Sequence, residues 1–286
     1  MKVIDSHVHI YPPEFERDRD SIAAREPWFD QLTSSKVQKW GTADELVAAM
    51  DASGMECAFA TSFAFRDQGL CRAANDYVLD AAQRFPGRIK PLVVVSPCAA
   101  GMEAELARCA EAGAVGVGEL FPNGQGFDIS DRSQTWRLAG NCRERGLFLS
   151  FHTAEQAGHN YPGKGTYGAD KAAKFCLNHP DTKVIFAHFG GGLWAYEAMP
   201  EMKLTLANVY YDTAAWPWLY GPAILDAVIA IGAGHKILYG SDWPILNFAR
   251  FGILLAQTKL TVEQRGAFLR ENAANLLHWQ MNEAAQ

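Results

Sequence analysis

An alternation repeated along the whole chain constrains its fold more than any other feature. Short apolar runs rich in Val, Ile, Leu and Phe are separated by longer stretches of helical periodicity, the pattern of parallel strands joined by helical crossovers. Eight runs are expected as strands: "KVIDSHVHI" (2 to 10), "ECAFATSF" (56 to 63), "IKPLVVV" (89 to 95), "AVGVGEL" (114 to 120), "LFLSFH" (147 to 152), "KVIFAH" (183 to 188), "NVYYDT" (208 to 213) and "KILYGSD" (236 to 242). Eight such units in 286 residues fit a closed (β/α)8 or TIM barrel, one domain over 1 to 286, better than an open sheet. No linker, low-complexity tract or charge run marks a second domain.

The crossovers carry signals of their own. Thr42 with Glu45 forms a capping box ahead of Leu46 and Met50, and Thr261 with Gln264 does the same for a closing helix carrying Leu269, Ala273 and Leu276. Leu70, Ala74, Tyr77, Val78, Ala81 and Phe85 make one apolar stripe, stopped by Pro86 and Gly87. Two connections are long: Tyr11 to Trp40 after the first strand and Thr153 to Ala169 after the fifth. Loops that follow barrel strands lie on the active-site face, so both are expected to roof a pocket.

Composition narrows the partners. A net charge of −6 leaves no basic footprint for nucleic acid or an anionic membrane, so a small-molecule substrate is expected. The six cysteines (Cys57, Cys71, Cys98, Cys109, Cys142, Cys176) include no close C-x-x-C pair, and read as small core residues in a reducing compartment. No apolar segment approaches the roughly 18 residues that span a bilayer, and a cytoplasmic location is expected.

Four of the eight histidines fall at or near the C-terminal ends of expected strands: His7 and His9 on the first, His152 on the fifth, His188 on the sixth. Glu119 and Asp242 come near the ends of the fourth and eighth. Residues i and i+2 of a strand face the same way, so His7 and His9 enter the barrel together. Imidazoles and carboxylates converging in a dry barrel mouth are costly unless something satisfies them, and a divalent cation does so for all at once. A lone His-x-His pair says little, Glu119 alone could leave the barrel, and Asp242 in "SDWP" could serve a turn. All six falling at strand ends is much harder to reach by chance. Three histidines and an aspartate leave an open position on a zinc-like ion, which lowers the pKa of bound water towards 7. Zinc is the first expectation and manganese the alternative, as one ion or two.

These motifs carry a family resemblance. "DSHVH", "SFH", "FAHFGG" and "YGSDWP", with the closing "NAANLLH", resemble the amidohydrolase superfamily, specifically the amidohydrolase-2 branch that includes aminocarboxymuconate-semialdehyde decarboxylase. The resemblance covers nearly the whole chain and is specific to the superfamily, not to a substrate. It implies His7, His9, His152 and Asp242 as metal ligands, with His188 beside the metal as an acid/base or carbonyl-polarising group. Glu119, in "VGVGELFP", departs from the decarboxylases of that branch. It is similar to the strand-four glutamate of TatD-like deoxyribonucleases, where a carboxylate bridges two metals; a bridging Glu119 would leave His152 and His188 to a second ion.

The expected activity is therefore metal-dependent hydrolysis of a small carboxylated or cyclic amide, lactone or ester. Metal-activated water would attack, Asp242 would carry the proton, and His188 or the metal would stabilise the oxyanion. The alternative is a non-oxidative decarboxylase or hydratase of the same family. Arg66 in "FAFRDQG", with Arg17, Arg19 and Arg25 in the first loop, are candidates to pair with a substrate carboxylate, although surface arginines more often serve elsewhere. His159 and Lys164 in the fifth loop could touch substrate, whereas His179, His235 and His278 read as structural. "GHNYPGKG" (158 to 165) resembles a phosphate loop, but Gly165 stands where a hydroxyl is needed and no helix follows directly. The resemblance also suggests a homodimer; Trp216, Trp218 and Tyr220 offer either an interface or a pocket wall.

Overall fold

The computed structural model describes residues 2–283, and among them eight parallel strands follow one another around a barrel with helices between them. They are β1 (Val3–His9), β2 (Met55–Thr61), β3 (Ile89–Val93), β4 (Gly116–Leu120), β5 (Phe148–Phe151), β6 (Val184–Phe186), β7 (Val209–Asp212) and β8 (Ile237–Leu238). Each pairs in parallel with the next. Beyond β8 the chain closes onto β1: Ser6 N donates to Tyr239 O (2.7 Å), Asp242 N to His7 O (2.9 Å) and His9 N to Trp243 O (2.7 Å). The expected (β/α)8 barrel is the architecture observed.

Several strands are shorter than the sequence pattern suggests. β5 stops one residue before His152, β6 two before His188 and β8 four before Asp242. Two of these residues could not belong to a strand in any case: His188 (φ 57°) and Asp242 (φ 65°) adopt left-handed backbone. Sites that hold non-glycine residues in this region are enriched in function.

The stretch from Tyr11 to Trp40 is not the irregular loop expected. It folds into three short helices, Pro13–Arg17, Arg19–Ala23 and Pro27–Thr33. Pro13 and Pro27 stand in first turns, where their fixed φ suits a helix and no amide is needed. Phe15, Ile22 and Phe29 are buried, and Phe29 packs edge-on against Phe63, 4.8 Å between ring centroids. Only the second long connection remains irregular, until the helix Ala169–Asn178.

Both capping boxes form. Thr42 N donates to Glu45 Oε2 (2.8 Å) while Glu45 N donates to Thr42 Oγ1 (3.3 Å), and Thr261 with Gln264 repeats the pattern. In the helix Gln68–Arg84 the stripe buries Leu70, Ala74, Val78 and Ala81, with Tyr77 and Phe85 packed at its margin. The closing segment is interrupted by one π turn over Ala267–Glu271 before the helix Asn272–Glu283. Beyond that turn the Asn272 amide donates to Gly234 O (2.9 Å) and Ile237 O (2.8 Å). Ala273 and Leu276 then pack with Ile4, Phe59, Leu92, Phe148, Ile185 and Leu238, one buried cluster of strand residues capped by the closing helix. Five cysteines are buried as expected; Cys98 is exposed and is the exception. Among the described residues no helix is long and apolar enough to cross a membrane.

Candidate active site

At the C-terminal end of the barrel, β1 breaks register with β2 between Asp5 and Val8. The irregularity separates neighbours that a plain strand would align. Asp5 turns into the seam with the eighth strand, its Oδ1 accepting from His7 N (3.1 Å) and Ser241 N (3.0 Å). His7 and His9 turn into the mouth, their Nε2 atoms 3.0 Å apart.

All six residues singled out at strand ends meet there, and all are buried. Among the described residues, two groups have donor atoms close enough to hold an ion: His7, His9 and Asp242, and Glu119, His152 and His188. Asp242 Oδ1 lies 3.5 Å from His9 Nε2 and 3.8 Å from His7 Nε2. On the other side, His152 Nδ1 lies 3.1 Å from His188 Nε2. Glu119 stands between the groups. Its Oε2 is 3.5 Å from His7 Nε2 and 3.7 Å from His9 Nε2, and its Oε1 is 3.0 Å from His152 Nδ1 and 3.4 Å from His188 Nε2. Gly118 lets this strand come close: it has φ 135°, and a Cβ there would lie 2.2 Å from Ser150 O.

The hydrogen bonds behind the histidines decide which nitrogens face inward bare. His7 Nδ1 donates to Asp212 Oδ2 (2.8 Å), His188 Nδ1 to Ala214 O (3.0 Å) and His152 Nε2 to Lys164 O (3.3 Å). A neutral imidazole has one N–H, so each of these three presents a lone pair to the centre. With all three neutral, lone pairs would meet at 3.1 Å beside a carboxylate oxygen, an arrangement that a proton or a metal ion between them relieves. Nitrogen and oxygen donors, oriented from behind by carboxylate and carbonyl partners, fit zinc or manganese.

The electrostatics favour a cation too. Burial works against charge on Glu119, yet the surrounding His7 and His152 hold it well below the usual carboxylate range. Burial likewise opposes the imidazolium of His188, but the hydrogen bond and charge of Glu119 and the charge of Asp242 raise it to about 9. His7 is raised well above the ordinary histidine range by Asp212 and Glu119 against the same burial penalty. Protons and a divalent ion compete for this site.

Asp212 is the residue that sequence reasoning missed. It ends β7 and is fully buried; besides holding His7, its Oδ1 accepts from His188 N (3.0 Å) and Ala214 N (3.0 Å). One carboxylate therefore braces a histidine from each group. The available signal was its place in "NVYYDT", a carboxylate at a strand end like Asp242.

Above these side chains opens a cavity of about 430 Å³. Tyr11, Leu32, Val37, Phe63, Trp218 and Ile245 form much of its wall, so the first long connection does roof the pocket, and Trp218 is a wall residue. His159 lines it as well. Lys164 does not: its ammonium turns back to the carbonyls of Ala157 (2.7 Å) and His159 (3.1 Å). Arg66 is exposed and outside the lining, its guanidinium beside Gly126. Arg17 pairs with Asp18, Arg19 with Asp20 and Asp30, and Arg25 with Asp67. Among the described residues no lysine or arginine lines the cavity.

Solved structures share this architecture. A 5-carboxyvanillate decarboxylase from Sphingomonas paucimobilis superposes with a TM-score of 0.73 at 14% identity, covering 97% of this chain and 99% of that one. A dihydroxybenzoic acid decarboxylase from a Polaromonas species, with bound manganese and the inhibitor 2-nitroresorcinol, gives 0.72 at 17% identity, covering 97% of each chain. A protein from Acinetobacter baumannii described as a probable 2-pyrone-4,6-dicarboxylic acid hydrolase, with citric acid bound, gives 0.65 at 15%, covering 97% of this chain and 100% of that one. No curated protein sequence matches significantly. At these identities the structures speak for the fold alone. The amidohydrolase family model, however, matches residues 4–279, nearly the whole chain, and the protein belongs to that family.

Proposed function

We propose that this protein is a metal-dependent hydrolase that opens a small, uncharged cyclic ester or amide. The observation that carries the reading is Glu119, with one carboxylate oxygen towards His7 and His9 and the other towards His152 and His188. A carboxylate so placed suits two divalent ions, one with His7, His9 and Asp242, the other with His152 and His188. His188 is then a ligand, not the acid/base group that the family resemblance implies. Bound divalent metal supplies Lewis acidity and makes water a nucleophile near neutral pH.

The chain's own residues do the rest. Asp242 is held ionised against its burial by the hydrogen bond of His9 and the charge of His7. Its carboxylate oxygen not turned to the histidines accepts a proton from the attacking water and returns it to the leaving heteroatom. Phe63, Phe121, Tyr161 and Trp218 offer apolar faces to the ring. A substrate carboxylate remote from the histidine cluster would meet no lysine or arginine in this wall, only donors such as Ser35, Gln38 and His159. This argues for a neutral substrate over a carboxylated one.

The decarboxylase reading draws on the structural neighbours that are decarboxylases. A panel separates the two: the metal-loaded enzyme should open neutral lactones and release no CO2 from hydroxybenzoates, and Asp242→Asn should lose about 10²- to 10⁴-fold in rate while keeping its melting temperature. CO2 release without lactone hydrolysis would replace the hydrolase with a carboxy-lyase.

A further inference from the structure

We infer that Lys164 is a positioning residue that couples the cavity loop to His152, and so to the ion on the Glu119, His152 and His188 side; this rests on the two-ion reading above. The sequence around it resembles a phosphate loop, yet its ammonium faces no cavity. Lys164 is buried, and its Nζ donates to the carbonyls of Ala157 (2.7 Å) and His159 (3.1 Å), with Gly158 O at 3.5 Å. Among the described residues no carboxylate pairs with it. A buried ammonium without a counter-ion needs its three donors satisfied, so Lys164 is accommodated only when the loop has gathered its carbonyls around it.

The same residue holds the metal side. Its own carbonyl accepts from His152 Nε2 (3.3 Å), the bond that turns the bare Nδ1 towards Glu119. The loop is anchored just beyond: Thr166 N donates to Asn123 Oδ1 (2.9 Å), and Asn123 Nδ2 donates to Thr166 Oγ1 (3.0 Å). Gly163 and Gly165 flank the lysine with φ of 91° and 70°, backbone that lets both its ends turn tightly. His159, Tyr161, Pro162 and Gly163 line the cavity. A ligand resting on those four favours the gathered loop, and the gathered loop orients His152. By reciprocity, filling the second ion position also orders that wall.

The test is a titration of metal-free protein with Mn²⁺, counting ions and reading the affinity of each. Wild type should bind two. Lys164→Met keeps the aliphatic stem and removes the donors; it should hold one ion as in wild type and the other about 10- to 100-fold more weakly, and Lys164→Arg should recover most of the loss. Should Lys164→Met not fold, Asn123→Ala, which frees the loop at its exposed anchor, carries the same expectation of one selectively weakened ion. Two ions bound normally by these variants, or both weakened equally, would overturn the inference and leave the hydrolase reading standing. A wild-type protein that binds a single ion would overturn both.

Discussion

Where the strands begin, charged and polar side chains are matched to one another. Glu56 pairs with Arg270 (2.7 Å), Arg88 donates to the carbonyl of Glu56 (3.0 Å), His179 bonds Thr135 (2.8 Å), and the buried Lys236 meets Glu197 (2.8 Å) and Leu206 O (2.7 Å). Where the strands end, the same residue types are more deeply buried and crowd their polar atoms together: His7 against His9, His152 against His188, Glu119 against all four. The first arrangement is complete within the protein. The second needs added positive charge, protons or a metal ion, to be complete, and that difference, not the presence of histidine or carboxylate, separates the candidate functional end from the structural one.

The comparison breaks most directly at His7 and His9. Replacing both with Ala removes two donors from one group and should abolish tight metal binding there, and activity with it. Elemental analysis showing unchanged metal in the folded double variant would contradict the division between the two ends. A smaller effect is expected behind the ligands. Asp212→Asn weakens the brace on His7 and the amides of His188 and Ala214, and metal affinity should fall about 10- to 100-fold in a competition titration with a chelator. An unchanged affinity would make Asp212 merely a buried polar residue.

The smallest effect belongs to the structural end. Burial, aided by the charges of Arg132 and Arg143, lowers His179 to about 4. The folded protein therefore keeps this imidazole neutral, whereas the unfolded chain takes up a proton below roughly 6.5. The stability it contributes is present above that value and is lost as pH falls towards 4. His179→Asn should flatten that part of the stability profile, read as denaturant midpoints at pH 7 and pH 4.5, without changing metal content. An unaltered slope would dissociate His179 from acid destabilisation.

Much of the fold and of the candidate site was legible because two independent signals coincide: apolar runs mark the strands, and His7, His9, Glu119, His152, His188 and Asp242 fall at or past their ends. Asp212 was not, because its role depends on reaching His7 on the first strand and the His188 amide beyond the sixth, contacts that no local pattern encodes. The helices over 13–33 escaped because each is only five to seven residues long, too short to show a period, and their prolines read equally well as turns. The arginines misled because length lets them turn to neighbouring carboxylates, and sequence position does not fix where a long side chain ends.

The account stands on Glu119 as a bridge between two ions. A crystal of the metal-loaded protein, with anomalous diffraction measured at the absorption edge of the metal, tests this directly. Two peaks should flank Glu119, with one carboxylate oxygen bound to each ion, at roughly 2.0 to 2.2 Å if the metal is zinc. A single peak held by His7, His9, His152 and Asp242, with Glu119 bound to no ion, would contradict it.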